Sequence, residues 1–188
     1  HKRARWIGRV VQDPLKGTAF DMTIEENLAI AYYKNKSRGL SPGITSKDRE
    51  LFREKLSMLE MGLEDKMTQK VKLLSGGQRQ ALTLFMAAIT KPELLLLDEH
   101  TAALDPETAK KVMEITKQIV SENHITTMMI THNLASALAL GNRTIMMADG
   151  RIVLDLNAAQ RKGLTVDDLL RMFRSQGLDN DRILLYAE

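Results

Sequence analysis

Leu74-Ser75-Gly76-Gly77-Gln78 is followed at fixed distances by other polar segments, and the ordered set is more informative than any one member. An apolar run, Leu94–Leu97, comes next and ends in Asp98-Glu99. Short, uniformly apolar runs are typical of central strands in a parallel sheet. Asp105 and His132 follow, the first in Ala-Leu-Asp and the second in Ile-Thr-His. The stretch therefore starts a series of strands that each end in polar residues.

Composition sets broad limits on the chain. Its 188 residues, 44% hydrophobic and 27% charged, can bury the core of one domain with a subdomain. It has no cysteine, which excludes disulfides and thiolate metal sites and fits a reducing cytosol. The longest strongly apolar stretch, residues 82–89, is too short for a membrane span. A net charge of +3 with interleaved acids gives no case for nucleic acid as a partner.

Predicted strands alternate with predicted helices, which indicates an α/β fold with a mostly parallel sheet. The capping signals Thr23-x-x-Glu26 and Asp105-Pro106 mark helix starts, and Asp149-Gly150 marks a hairpin turn. We expect Met128, Met129, Met146 and Met147 to pack in the core, since they lie in strands. The predicted strands are 6–11, 94–97, 125–130, 144–147 and 152–154; the predicted helices are 23–33, 46–62, 64–66, 78–90, 106–123, 134–140 and 165–175.

The predicted organisation is a core interrupted by helices. Residues 1–19 and 75–156 form the α/β core, and residues 20–74 form an inserted helical subdomain. Residues 157–188 form a C-terminal extension in which no motif is recognised.

Asp98 and Glu99 are the strongest candidates for chemistry. An acid at the carboxyl end of a buried parallel strand points into the crevice where α/β proteins bind ligands. Phosphoryl transfer asks mainly for positioning and charge neutralisation. Two adjacent acids can divide that work, with Asp98 holding Mg²⁺ and Glu99 polarising the attacking water. Strand ends are also often acidic because they meet solvent, so the pair alone would not settle the function.

Ser75, Gly76 and Gly77 supply a hydroxyl and open backbone N–H groups at a helix N-terminus, which is an anion site by geometry and dipole. The same residues equally fit a turn with an N-cap serine. His132, after a buried strand, fits a structural hydrogen-bonding role when it is taken alone. The residues by themselves leave these alternatives open.

The ordered set, with Gln12 ahead of it, resembles the ATP-binding subunit of an ATP-binding cassette (ABC) transporter over roughly residues 6–155. The resemblance implies a P-loop NTPase-type core with ATP and Mg²⁺ as cofactors. The chain contains no G-x-x-x-x-G-K-[ST], the loop that cradles nucleotide phosphates. In the family that loop precedes the glutamine, so we expect a cassette with an incomplete core that lacks its N-terminal part. Such a fragment should bind ATP weakly and show no turnover alone.

The resemblance also implies roles for individual residues. Residues 75–78 close over the γ-phosphate of ATP held by an opposing subunit, which implies a head-to-tail dimer. His132 contacts the γ-phosphate, and Gln12 senses Mg²⁺ and the attacking water. Asp105 caps its helix and also lies across the dimer contact. His100 replaces the usual proline after the acidic pair, and we interpret it as a local variant. The predicted site residues are therefore catalytic Glu99, His132 and Gln12; nucleotide-binding Ser75, Gly76, Gly77, Gln78 and Asp105; and metal-binding Asp98 and Gln12.

The predicted function is to couple ATP binding and hydrolysis to the uptake of a small solute, and a similarity of residues 94–105 to a group of uptake cassettes points to amino acids. The implied partners are a second ATP-binding subunit, membrane permease subunits and a substrate-binding protein, at the cytoplasmic face of the membrane. The alternative is a non-transport ATPase of the same family acting on DNA or ribosomes. The 61 residues between Gln12 and Leu74 are too few for the long coiled coil of chromosome-maintenance ATPases. The absence of cysteine excludes the zinc modules of the excision-repair type. A third interpretation is a non-hydrolysing fragment that only contributes interfaces.

Overall fold

Two neighbouring parallel strands form the centre of the molecule. Ile7–Val10 (β1) pairs with Leu94–Asp98 (β2), with Ile7 opposite Leu94 and Val10 opposite Leu97. Thr126–Ile130 (β3) lies on the other side of β2, so that the strand order is β1-β2-β3. The computed structural model describes residues 5–13, 16–34 and 43–175. The parallel pairing of β1 and β2 within them agrees with the predicted parallel sheet.

Four helices surround this sheet, and each begins at a residue whose side chain caps it. They are Ile24–Tyr33 (α1), Ser46–Ser57 (α2), Gly76–Ala88 (α3) and Pro106–Asn123 (α4). The caps are Thr23, Thr45, Ser75 and Asp105, and each accepts a hydrogen bond from a backbone N–H in the first turn. A 3₁₀ turn, Val71–Leu73, precedes α3. The cap signals in the sequence therefore mark the true helix starts.

One apolar cluster joins β1 and β2 with α1, α2, α3 and α4. Leu95 and Leu97 of β2 are buried against the same cluster as Leu28 of α1 and Phe52 of α2. α3 packs on β1, α1 and α4. The approach of α3 to β1 requires glycine at position 8, since a Cβ there would lie 2.4 Å from the carbonyl oxygen of Ala87. These elements belong to the first of two compact units, His1–Met129.

The second unit is Ile130–Glu188, and its described residues, up to Ser175, form an antiparallel hairpin and three helices. Its elements are Leu134–Ala139 (α5), Thr144–Ala148 (β4), Arg151–Leu156 (β5), Ala158–Arg161 (α6) and Val166–Ser175 (α7). Asp149 and Gly150 have φ of 48° and 72°, the left-handed conformation that a two-residue hairpin turn requires. α7 packs on α5, and its Leu169 and Phe173 are buried.

Several predicted details are wrong. The predicted helix 46–62 ends at Ser57, and a turn closed by the Leu59 N–H on the Leu56 carbonyl follows. The predicted helical turn at residues 64–66 is a single hydrogen-bonded turn, closed by the Lys66 N–H on the Leu63 carbonyl, and does not form a helix. Helix α6 was not predicted, although Asn157 and Gln160 form a capping box.

The predicted burial of the strand methionines is also only partly correct. Met128 is 53% exposed and Met147 is 63% exposed, whereas Met129 packs against the apolar cluster. Side chains alternate between the faces of a strand, and these two stand on faces left open by the described part of the chain. None of the helices in that part combines the length and apolar character that a membrane crossing requires.

The predicted boundaries of a core at residues 1–19 and 75–156, an insertion at 20–74 and an extension at 157–188 remain predictions. The apolar cluster of the first unit runs through α1, α2, α3 and the sheet without interruption.

Candidate functional site

The carboxyl ends of β1 and β2 bring three predicted site residues to one edge of the sheet. Asp98 is the last residue of β2, and Glu99 follows it with a left-handed φ of 44°. Gln12 comes two residues after Val10, and Glu99 comes two residues after Leu97, which is paired with Val10, so both follow their strands at the same end of the sheet. A left-handed glutamate is strained, and such strain is concentrated at functional sites.

Asp98 is placed to serve as a metal ligand. One carboxylate oxygen lies 3.7 Å from Nη2 of Arg9, and the Asp98 side chain is 40% exposed. The described ranges contain no group of three or more histidine, aspartate or glutamate side chains that could hold a metal ion. Mg²⁺ bound to a nucleotide needs only one or two protein carboxylates as ligands, because phosphate oxygens and water supply its other ligands. A half-exposed carboxylate at a strand end fits that requirement.

The turn before α3 is ordered by its own side chains. The Ser75 hydroxyl accepts from the Gln78 backbone N–H at 3.2 Å, and Gln78 Oε1 accepts from the Ser75 N–H at 3.3 Å. Gln78 Nε2 also donates to the Met61 carbonyl at 3.0 Å. The N-cap interpretation of Ser75 therefore holds in this chain, and Ser75 and Gly76 remain exposed at the helix start.

The same turn packs closely on the start of α4. A Cβ on Gly77 would lie 2.1 Å from Thr108 Cγ2, and one on Gly76 would lie 3.5 Å from Leu104 Cδ2. Asp105 caps α4 by accepting from the Thr108 N–H at 3.0 Å. The hydroxyl and backbone N–H of Thr108 hold the pKa of the Asp105 carboxyl below its usual value. Residues 75–78 and Asp105 thus form a second group, joined through Thr108.

His100, interpreted from the sequence as a local variant, is a buried side chain. It is 3% exposed, and its Nε2 lies 3.0 Å from Thr116 Oγ1 on α4. The Thr116 hydroxyl donates its hydrogen to the Val112 carbonyl at 2.8 Å, so it accepts from a protonated Nε2. Burial lowers the pKa of His100 to about 4, which keeps the ring neutral near pH 7. His100 therefore ties the loop after Glu99 to α4.

His132 lies in the second unit, in the turn between β3 and α5. Its neighbours are hydrogen-bonded to each other, because the Asn133 N–H donates to Thr131 Oγ1 at 3.0 Å. Asn133 Oδ1 accepts from the Ser136 N–H at 2.8 Å and caps α5. His132 is exposed. The turn that carries it is ordered by these two bonds.

Sequence reasoning did not find the contacts of Arg9 with Asp98 or of His100 with Thr116. The partners are far apart in sequence and follow no local pattern. The reciprocal capping of Ser75 and Gln78 could have been found, because Ser-x-x-Gln before an apolar helix is a capping-box signal.

Comparisons with known proteins identify relatives of this chain. A family model described as "ABC transporter" matches residues 1–102. "Tyrosine transport ATP-binding protein" of Clostridioides difficile is 44% identical over 173 residues, covering 92% of this chain and 68% of the relative. "Methionine import ATP-binding protein MetN 1" of Rhodopseudomonas palustris is 43% identical over 107 residues, covering 56% of this chain and 29% of the relative. The chain thus spans part of the length of each.

Two solved structures share the fold. One is cbiO1 from Clostridium perfringens, part of the ABC transporter complex cbiONQ, with a TM-score of 0.68 and 22% identity over 93% of this chain and 67% of that one. The other is an inward-facing putative metal-chelate type ABC transporter, with a TM-score of 0.68 and 26% identity over 89% of this chain and 64% of that one. They confirm the predicted α/β, P-loop NTPase-type fold class.

Replacing Gly77 with alanine should destabilise the protein by about 1–3 kcal/mol, since the added methyl overlaps Thr108 in a packed contact. Urea denaturation measures the change. Gly76→Ala is the matched control and should be nearly neutral, because its nearest neighbour is 3.5 Å away. Adding Thr108→Ala to Gly77→Ala should restore most of the lost stability. Equal effects of the two glycine substitutions would contradict this packing.

Acidification should weaken the fold through His100. Its pKa is about 4 when folded and about 6.5 when unfolded, so the unfolded chain binds the extra proton as the pH falls below 6.5. Between pH 7 and pH 5 the loss should be about 2 kcal/mol. Denaturation measurements compare the protein with a His100→Gln variant, which keeps every carboxylate but lacks the imidazole. Between pH 7 and pH 5 the free energy of unfolding of the protein should fall by that amount more than the free energy of unfolding of the variant. Parallel pH curves would contradict a buried neutral ring.

Proposed function

This chain belongs to the ABC transporter family as an ATP-binding subunit, and from that premise we propose that it couples ATP hydrolysis to the uptake of an amino acid. The observation that carries the proposal is the end of the sheet at which Gln12 follows β1, Asp98 ends β2 and Glu99 follows it. Relatives named for tyrosine transport and methionine import support transport, and uptake in particular. They do not favour the alternative of an ATPase acting on DNA or ribosomes.

In the proposed mechanism the residues at the sheet edge divide the work. Glu99 accepts a hydrogen bond from the attacking water and polarises it, and Gln12 orients the same water. Asp98 holds Mg²⁺, which when bound neutralises charge on the phosphate oxygens. His132 donates a hydrogen bond to the γ-phosphate. The strained backbone of Glu99 and the buried His100 support this assignment, because both fix the segment that carries the carboxylate.

A second ATP-binding subunit completes the proposed site. Ser75 and Gly76 are exposed at the N-terminus of α3, where the helix dipole favours phosphate. We place the γ-phosphate of the opposing subunit's ATP there. Packing of Gly77 on Thr108 and the cap at Asp105 hold this turn and the start of α4 as one body, which would move together when the subunits close.

A cavity among α1, α2, α3 and α4 offers a docking site for a membrane permease subunit. Its volume is about 240 Å³, and it is lined mainly by apolar side chains, with Lys55, Lys91 and Glu122 among them. Ile30 of α1 is 55% exposed and Met58 after α2 is 41% exposed. An apolar hollow with a few charged groups fits a short amphipathic helix. The apolar lining residues include Tyr32, Leu51, Met58, Leu59, Phe85 and Ile119.

Residues 16–23, which precede α1, link this docking region to the turn at residues 74–78, called here the signature turn. The Arg79 guanidinium of α3 lies 4.7 Å from the centroid of the Phe20 ring and donates to the Leu74 carbonyl at 2.9 Å. Lys72 pairs with Asp21 at 2.8 Å, and its backbone N–H donates to the Phe20 carbonyl. A shift of this segment on docking would therefore pull directly on the turn that precedes α3.

The remaining parts of the proposal concern the assembly. We place the subunit at the cytoplasmic face of the membrane, in a complex that includes a substrate-binding protein. For the 188-residue chain alone we propose weak MgATP binding and no turnover. Missing the charge-assisted contacts of a phosphate loop would cost roughly 1.5–3 kcal/mol for each contact.

Glu99→Gln should lower ATP turnover by about 100-fold or more, because the amide keeps the shape but removes the charge that polarises water. Binding of MgATP should be preserved. The assay uses the subunit as its gene encodes it, assembled with its permease, and measures phosphate release. Glu93→Gln is the matched control, since Glu93 is exposed just before β2 and should not affect turnover. Near-normal turnover in Glu99→Gln would remove Glu99 from the mechanism.

Single cysteines at Ile30 or Met58 should cross-link to a membrane permease subunit. The 188 residues contain no cysteine, so each introduced thiol is the single thiol among them. Membranes containing the assembled complex are treated with a short bifunctional thiol reagent, and the products are identified by mass spectrometry. Lys117→Cys, exposed on α4 outside the predicted insertion at residues 20–74, serves as the control and should give little product. Products confined to nucleic acid or ribosomal protein would support the alternative function instead.

A further inference from the structure

Arg161, the last residue of α6, binds the carboxyl end of α5. Its Nη1 lies 2.6 Å from the Gly141 carbonyl oxygen. Its Nη2 lies 3.0, 2.8 and 2.7 Å from the carbonyl oxygens of Ala137, Leu138 and Leu140. One guanidinium therefore serves four backbone acceptors around the end of a single helix.

Helix α5 needs such support. It has six residues, and none of them is buried. A helix this short has too few internal hydrogen bonds to offset the cost of nucleation, and its last carbonyls have no partner within the helix. A cation at the carboxyl end satisfies those acceptors and opposes the negative end of the helix dipole. Helix α7 also packs on α5, and the Thr144 hydroxyl donates to the Ala137 carbonyl at 3.1 Å.

The other end of α5 carries the turn that contains His132. Asn133 caps the helix through the Ser136 N–H, and its own N–H donates to Thr131 Oγ1. His132 lies between these two bonded residues. Its backbone is therefore fixed by the same short helix that Arg161 secures at the opposite end.

We propose that Arg161 is a positioning residue for His132, so that the segment from Asn157 to Ser175 is part of the ATPase machinery. Loss of the guanidinium would release the end of α5, fray its single turn and allow the cap at Asn133 to open. His132 would then sample positions from which it cannot reach the γ-phosphate. This inference rests on the proposed function, which assigns His132 to the reaction.

The test compares Arg161→Gln and Arg161→Lys in the assembled transporter. Arg161→Gln should lower kcat about tenfold while KM for MgATP stays within about twofold, since the effect is on the reacting geometry rather than on nucleotide binding. Arg161→Lys keeps the charge but can reach fewer carbonyls, so it should recover part of the rate. Amide hydrogen exchange should accelerate at residues 136–140 in Arg161→Gln.

Arg143→Gln is the matched control. Arg143 belongs to the same unit and makes two hydrogen bonds, but both go to the Asp155 side chain rather than to α5. Its loss should leave kcat and the exchange of residues 136–140 unchanged. If a variant only lowered the general stability of the protein, part of the sample would be unfolded and the total rate would fall. That loss of rate would disappear when rates are expressed per MgATP-binding subunit.

The outcomes separate this inference from the proposed function. Unchanged kcat in Arg161→Gln overturns the inference, as does a loss that disappears after correction for MgATP-binding subunits. His132→Ala is measured alongside. If that variant keeps full turnover, the role of His132 in the proposed function fails. If it loses turnover while Arg161→Gln does not, only the positioning role of Arg161 fails.

Discussion

Val10 lies opposite Leu97 in a parallel pair of strands, and the position of the candidate site follows from this pairing. In parallel strands the carboxyl ends meet at one edge, so the residues that follow each strand are delivered together. Gln12 and Glu99 each come two residues after a paired position. A shift of one residue in the pairing would change which residues after β1 stand opposite those after β2. Burial of Leu95 and Leu97 in the apolar cluster holds β2 in the first unit.

α4 integrates the first unit. At its start, Thr108 packs against Gly77 of the signature turn. At its middle, Thr116 is hydrogen-bonded to His100. The acidic pair and the signature turn act, in the proposed assembly, on two different nucleotides. Both are nevertheless attached to one rigid helix. A subunit built this way can convey the state of one nucleotide site to the other without unfolding any element.

Much of this could be predicted from sequence. The strand Leu94–Asp98 follows from a short apolar run, and the starts of α1, α3 and α4 follow from local capping signals. Helix ends were less accurate because Ser57 and Ala88 carry no stop signal. Met128 and Met147 were misjudged because a strand pattern does not tell which face is covered.

The contacts of His100 and Arg161 were beyond reach for a different reason. Each links residues 16 to 24 positions apart, and the partners are a hydroxyl or main-chain carbonyls with no sequence signature. Such contacts are decided by packing. A substituted residue such as histidine for the family's usual proline can be noticed in the sequence, but its burial cannot.

The left-handed backbone at Glu99 has an implication for how this protein can change over time. A β-carbon in that conformation costs on the order of 1–3 kcal/mol, which glycine or asparagine would largely avoid. Replacing Glu99 with glycine or asparagine should therefore stabilise the fold while removing the side chain proposed to polarise water. Most substitutions lower stability, whereas this one would raise it at the expense of turnover, so selection for turnover has to act against a stabilising change.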